Sequence, residues 1–441
     1  MLKDNNRLIF TSLLISAGLY IFIAYFLERH QSIPLMSAYV ALFLVYVFLI
    51  TRKLTDQKFN LLLVGGIVLR LLLLVAFPNL SDDIYRFVWD GKLVGAGIHP
   101  FAELPSHYLG MGIPGIDQQL YDKLNSPDYF TIYPPLAQFI FWISTVFTDS
   151  VTISAITIRA MIIGAELGTI WVMLKLLKRY NLPRERVFLY ALNPLVILEL
   201  TGNLHFEAFM IFFVMLFIYY ISRVNIVKAA LFLAMSVASK LIPLIFIPLL
   251  IKRLSIKQVL LFSLLTGVFI LLLFLPLIDY DLIKGMSSSI GLYFQKFEFN
   301  ASVYYIIREI GFWQKGYNII GTAGIYLALA TFVLVLIKSI SHNGKQNIAN
   351  PMMWVMVIYL ALATTVHPWY ITTILALSVF TQYRFVVLWS FLVFFSYVGY
   401  TATGFEENLT ITFIEYSLVI SMAGFEVFKN IKSRRNEYQD I

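Results

Sequence analysis

The feature that most constrains this chain is the recurrence of uninterrupted apolar runs of membrane-spanning length. They lie at 8–27, 34–51, 59–78, 153–177, 187–202, 207–222, 257–278, 318–340, 352–366, 369–382, 385–402 and 410–428. A run of about 20 apolar residues, coiled as a helix, matches the hydrocarbon thickness of a bilayer. Lipid offers no water to the backbone, so each spanning segment has to satisfy its own N–H and C=O groups as a helix. The fold class that follows is all-α, a polytopic transmembrane protein with about 12–14 membrane helices. Composition agrees, because 59% of the 441 residues are hydrophobic and 13% are charged. The mean hydropathy of +0.79 exceeds what a soluble domain hides in its own core.

Charge orients the runs. The chain carries 33 Lys and Arg residues for a net charge of +8, gathered in short clusters that suit cytoplasmic loops and anionic headgroups rather than nucleic acid. Lys3 and Arg7 precede the first run, and Arg52, Lys53 and Lys58 separate the second from the third. The positive-inside bias therefore predicts a cytoplasmic N-terminus and leaves residues 79–132 outside after three crossings. The first run lacks a small-residue cleavage site and reads as a retained span. Clusters at Lys175–Arg186, Arg223–Lys228 and Lys252–Lys257 all stay inside under one layout. In it, 133–148 remains an outer juxtamembrane or re-entrant helix, and 228–251 dips in as a broken pair with Lys240 near its outer tip. The competing layout lets both segments cross once and exports basic residues. Either way, 279–317, His367-Pro368-Trp369-Tyr370 and Glu406-Glu407 fall on the side of the 79–132 loop, and the C-terminal KNIKSRRNE tail falls inside.

The richest stretch is SDDIYRFVWDGKLVGAGIHPF, residues 81–101, where the third run emerges. Asp82 and Asp83 are adjacent acids at a membrane boundary, a placement that suits a general base and equally suits a helix N-cap. Asp83, Arg86 and Asp90 are spaced for one helix face, with Tyr85 and Trp89 four apart on a neighbouring strip. Carboxylate, guanidinium and stacking rings together fit a sugar; an Arg–Asp helix pair with interfacial aromatics is the plainer reading. Lys240, beside Pro243 and Pro248, predicts a cation facing a polar cavity or a phosphate, or else a lysine snorkelling to headgroups. His205 with Glu207, and His367 with Trp369, are further polar groups at span ends.

The 81–101 segment resembles the D-x-Y-R-[YF]-x-W-[DE]-G…G-x-[NH]-P-[FY] signature of bacterial polyprenyl-phosphate-sugar-dependent glycosyltransferases of the GT-C superfamily, notably its mannosyltransferase-like members. Companions follow in order over roughly 60–380: Tyr133-Pro134-Pro135-Leu136, Asn193-Pro194-Leu195, Gly202-Asn203 with His205 and Glu207, Lys240 with Pro243, and His367-Pro368-Trp369-Tyr370. Two extra spans, three in all, precede the acidic loop where the family core has one, and the family's His-Asn-Asp-like motif is here His205-Phe206-Glu207.

The resemblance implies a GT-C-like fold whose outer-face loops form the active site. In it, Asp83 or Asp82 deprotonates the acceptor hydroxyl, the anomeric carbon is attacked in one inverting displacement, and polyprenyl phosphate leaves. Lys240 is the first cation for that phosphate and Arg86 the second, with His367 as a hydrogen-bond partner and Trp369 against lipid or sugar. His205 and Glu207 position the acceptor or hold the acid; Tyr85, Trp89, Asp90 and Tyr133 complete the substrate contacts. The 279–317 stretch, with Tyr293, Phe294, Phe297 and Phe299, covers the donor.

Four regions result: two N-terminal helices over 1–58, a catalytic membrane module over 59–278 that includes the 79–132 loop, the 279–317 interfacial loop, and C-terminal helices with a basic tail over 318–441. The expected reaction moves a hexose, mannose first, from a polyprenyl-phosphate donor to an extracytoplasmic lipid or glycan acceptor. Nothing in the spacing of Asp82, Asp83, His205 and Glu207 demands a metal, and no fingerprint for a nucleotide occurs, so no cofactor is expected. The sequence has no cysteine, which excludes thiolate chemistry. A transporter or flippase for a lipid-linked sugar is the alternative, since it too needs charge within the membrane.

Overall fold

The computed structural model describes residues 2–344 and 347–439, and among these the regular structure is helical apart from a short hairpin, Tyr400–Thr401 with Gly404–Phe405, and a single bridge between Phe299 and Thr365. Among the described residues six helices are long and apolar enough to cross a bilayer: Asn6–Phe26, Ser32–Ile50, Val151–Arg179, Ile256–Leu277, Ile320–Ser341 and Leu409–Lys432. A bent pair, Pro194–Gly202 with Glu207–Ile221, turns through 115° between its halves. Ile226–Ser239, Ile242–Lys252, Ala349–Leu362 and Phe385–Gly399 are shorter apolar helices packed among the long ones. The all-α polytopic class read from the apolar runs is the one observed, but six or seven spans by length and apolarity stand where 12–14 were expected, because several apolar runs fold as shorter or broken helices.

Turns between helices gather at two opposite ends. At one end Asn6 meets Gln57 at 3.3 Å, Arg184 pairs with Asp56, and Arg179 donates to the carbonyl of Ser222. Arg186 reaches the carbonyl of Thr381 at 3.0 Å, and the Arg384 amide donates to Glu426 at 2.9 Å. At the other end Arg29 meets Asp82, His99 meets the carbonyl of Leu277 at 3.1 Å, and the Asn300 amide donates to Glu407 at 2.7 Å. Arginines crowd the first end, and the acids named by sequence lie at the second.

Two ambiguous segments acquire a shape. Pro135–Thr145 is an 11-residue helix beside Asp83–Gly95. Gly91 makes that approach possible, because a Cβ there would stand 2.5 Å from the carbonyl oxygen of Phe141. Tyr133 packs on Phe87 and Lys92 donates to the carbonyl of Thr148 at 2.8 Å, so the segment runs alongside that helix. The helix Ile226–Ser239 breaks at Lys240, whose φ of −156° and ψ of 141° are extended, and the chain resumes as the 3-10 helix Ile242–Lys252. Pro243 and Pro248 remove backbone donors there, which is why regular α-helix gives way.

Buried arginines hold the centre. Arg70 is fully buried and bonds Glu166 at 2.9 Å and the carbonyl of Ala191 at 2.7 Å, tying three segments together. Arg159 donates to the carbonyls of Thr201 at 2.8 Å, Gly202 at 3.0 Å and Leu74 at 3.0 Å. These are orphan acceptors at helix ends, which a buried chain cannot leave to water. The same contacts fix the turn that follows Gly202.

Candidate active site

At the second end a cavity of about 1000 Å³ opens among the outer turns and the broken helices. Its acidic side is the start of the Asp83–Gly95 helix. Asp82 accepts from Arg29 at 2.6 Å, and Asp83 accepts from Asn125 at 2.6 Å on one oxygen, with the other 3.9 Å from His205 Nδ1. Asp83 is therefore the acid held without a cationic partner in hydrogen-bond range among the described residues.

His205 stands on the sharp turn between the two halves of the bent pair. Leu204, just before it, has a φ of +65°, a left-handed conformation costly for a side chain with a Cβ and kept only where the surroundings impose it. The stretch Ile197–Gly202 is a π-helix, a local widening that recurs at functional sites. It turns Glu199 inward, fully buried, with one oxygen 3.2 Å from His205 Nε2, 3.1 Å from Asn203 Nδ2 and 3.2 Å from the Tyr397 hydroxyl. The other oxygen, Oε1, has no hydrogen-bond partner among the described residues. Asp83, His205 and Glu199 thus stand in a carboxylate–imidazole–carboxylate line running inward, close in space but without an aligned hydrogen bond at either imidazole nitrogen among the described residues.

The cationic side is built by Lys240 and an aromatic stack. Lys240 pairs with Glu207 and lies 4.9 Å above the ring of Tyr370. The ring of Trp369 is sandwiched between His205, centroids 3.7 Å apart, and His367, 4.3 Å apart. Burial pushes the His367 imidazole down to about 3, and positive charge at His205 and Lys240 presses the same way. A neutral ring results, able to hydrogen-bond an anion without adding charge; its Nδ1 has no partner among the described residues.

The third side is apolar. Ile242, Ile245 and Pro248 of the 3-10 helix face Gly324, Ala328, Phe332 and Val335 of the Ile320–Ser341 helix, and both rows line the cavity. Spacings of four, four and three residues put the second row on one helix face. The cavity therefore continues from Lys240 into an apolar groove between two membrane helices.

Comparison with known proteins settles the lineage. A family model described as "Alpha-(1->6)-mannopyranosyltransferase, N-terminal domain" matches residues 14–255. The chain belongs to that family. One relative, alpha-(1->6)-mannopyranosyltransferase A of Corynebacterium glutamicum, is 26% identical over 141 residues, which is 32% of this chain and 28% of that protein. The chain thus matches well under a third of that relative's length. The family match begins inside the first helix and ends just before the Ile256 helix, so it takes in the Arg29 turn, both acids, the His205 turn and Lys240.

Within this member of the mannopyranosyltransferase family, Asp82, Asp83, Arg86, Tyr133, His205, Glu207, Lys240, His367 and Trp369 all border the cavity. Three other expected contacts do not. Asp90 lies under the helix, accepting from Arg86 at 2.9 Å, from Gln138 at 2.9 Å and from Thr131. Trp89 is fully buried against Tyr121, and Tyr85 packs on Phe77. Axial rise accounts for Asp90 and Trp89, since seven residues carry Asp90 roughly 10 Å along the helix from Asp83, whereas Tyr85, two residues from Asp83, is on the opposite face of the first turn. Arg86 borders the cavity but spends itself on Asp90 and the carbonyls of Ser126 and Tyr129, bracing the loop. From the 279–317 stretch, Phe297 and Phe299 border the cavity, while the side chains of Tyr293 and Phe294 lie outside the described residues.

Arg29, Asn125, Tyr397 and Tyr400 also border the cavity and Glu199 lies behind His205, all five of which sequence reading missed. Glu199 carried a usable signal, an acid inside an apolar run. The described residues bring three metal-type ligands within 4.8 Å at His99, Asp279 and Asp281, away from the cavity acids.

Proposed function

We propose that this chain transfers a mannosyl unit from a polyprenyl-phosphate donor to an acceptor hydroxyl, by one inverting displacement. The observation that carries the reading is the continuity of a single cavity from a carboxylate pair, past Lys240 and two imidazoles, into an apolar groove between helices. That sequence of surfaces fits an acceptor, a phosphorylated sugar and a hydrocarbon tail in that order.

The acceptor oxygen attacks the anomeric carbon while Asp83 takes its proton. The carbon–oxygen bond to the phosphate breaks, and its electron pair leaves with the polyprenyl phosphate. A positioned base contributes on the order of 10²–10⁴ in rate. Negative charge growing on the phosphate is met by Lys240 and by hydrogen bonding from His367, interactions stronger in the transition state than before it. His205, between Asp83 and Glu199, orients the base. The family and relative names carry an α-(1→6) linkage, and inversion to an α product calls for a β-linked donor. The proposal is metal-independent, because Lys, Arg and His can stabilise a monophosphate leaving group alone. It places the arginine-rich end and both termini in the cytoplasm and the cavity at the outer face of the cell membrane, in keeping with the positive-inside bias.

The test is an assay of purified protein in lipid with a panel of polyprenyl-phosphate sugars and sugar acceptors. Asp83→Asn should lower turnover by roughly 10²–10⁴ with donor binding retained. Parental turnover in that variant would defeat the assignment. Movement of lipid-linked sugar across the bilayer with no new glycosidic bond would favour a transporter.

A further inference from the structure

At the end opposite the cavity, a separate pocket of about 360 Å³ lies between the C-terminal part of Val151–Arg179, the end of Glu207–Ile221 and the start of Ile226–Ser239. Three cations border it, Lys175, Arg223 and Lys228, and none of its lining residues is acidic. Each cation rests on an aromatic ring. Lys175 Nζ is 3.3 Å from the centroid of Trp171, Lys228 Nζ is 5.3 Å from Tyr220, and Arg223 lies 5.1 Å from Tyr219 while donating to its hydroxyl at 2.9 Å.

Three like charges converging on one concavity repel one another unless an anion joins them. Other arginines at this end have partners, Arg184 in Asp56 and Arg179 and Arg186 in the backbone carbonyls of Ser222 and Thr381. Among the described residues no acid lines this pocket. The rings explain how the cations are held in place without one, since they attract positive charge while adding none of their own. The surrounding rim is apolar and exposed, with Trp171 at 56%, Val224 at 56% and Val227 at 53%. A soluble anion has no use for such a rim, whereas an acyl chain does.

From this we infer that the pocket binds the phosphodiester headgroup of an anionic phospholipid, whose chains lie along the apolar rim. Basic pockets between helices at a cytoplasmic face are suited to such headgroups. The site is independent of the proposed transfer reaction, because it shares no residue with the cavity.

Full-length protein, purified in a zwitterionic detergent, is titrated with phosphatidylglycerol, phosphatidylcholine or inorganic phosphate, reading lipids retained by native mass spectrometry and the shift in melting temperature. The parent should retain phosphatidylglycerol over phosphatidylcholine and gain stability from it alone. Each neutralisation among Lys175→Ala, Arg223→Ala and Lys228→Ala should weaken retention about fivefold, whereas the Lys175→Arg/Lys228→Arg variant should keep it. Equal retention of both lipids by the parent overturns the inference, as does undiminished retention in the triple alanine variant. Equal stabilisation by inorganic phosphate overturns the lipid assignment. The parental comparison decides the matter even if the triple variant fails to fold.

Discussion

Arg29, in the turn between the first two helices, sets its guanidinium 2.6 Å from Asp82 and 4.2 Å above the ring of Tyr400. One side chain thereby joins the N-terminal helix pair, the acidic loop and the C-terminal hairpin at the mouth of the cavity. It also separates the roles of two adjacent acids, since Asp82 is committed to this pair and Asp83 is not. We expect Asp82→Asn to lower turnover much less than Asp83→Asn. Arg29→Ala should lower transfer about tenfold, a modest effect because the pair is partly exposed, and Arg29→Lys should restore most of it. Equal losses in the two Asp variants, compared in the same transfer assay, would count against Asp83 as the sole base.

On the proposed mechanism Glu199 acts at a distance from substrate, through His205. Glu199→Gln keeps the shape and the contacts to Asn203 and Tyr397 but removes the negative charge beside Nε2. The expected result is a loss of turnover with an altered pH–rate profile and an unchanged KM for donor. A purely structural role predicts the contrary, a lower melting temperature with the profile kept. Measuring turnover across pH for parent and variant separates the two.

Much of the helical plan was legible because lipid leaves few options for a long apolar run, and the Lys240 break was announced by Pro243 and Pro248. That Asp82, Asp83, His205, Lys240 and His367 would gather round one cavity was legible because each is a polar group at the end of an apolar run or, for Lys240, at a break inside one, where placement without a purpose is costly. Arg29 was not legible, since a cation in a turn looks like any flanking charge until a partner 53 positions away appears. Trp89 and Asp90 misled for the opposite reason. Helical spacing says which residues share a face, but the tilt of the helix decides how many of its turns meet the cavity.

The neutral state of His367 has a consequence for stability. Its folded value of about 3 lies below the ordinary 6.5, so the unfolded chain binds a proton that the folded chain refuses. Stability is full above pH 6.5 and falls as pH drops from 6.5 toward 3. Glu407 moves the other way, its carboxyl raised by burial, so it stabilises at low pH and loses that contribution as pH rises. Thermal melts of parent and His367→Gln between pH 6.5 and 4 should show the acid slope reduced in the variant. An identical slope would mean that His367 is protonated in the folded protein.

The groove makes a claim about donor length. Ala328 stands midway along the row that faces Ile245 and Pro248, and a larger side chain there would occupy the path of a hydrocarbon tail without touching Asp83, Lys240 or His367. Ala328→Trp should therefore raise the KM for a long-chain polyprenyl-phosphate mannose roughly tenfold, the order expected when one or two buried isoprene methylenes lose their cover. A donor with a tail too short to enter the groove should react with parent and variant alike. If both donors suffer equally, the substitution has disturbed the head-group site, and the tail runs elsewhere. If neither suffers, the hydrocarbon does not lie between the 242–252 and 320–341 helices, and the donor enters from the open end of the cavity.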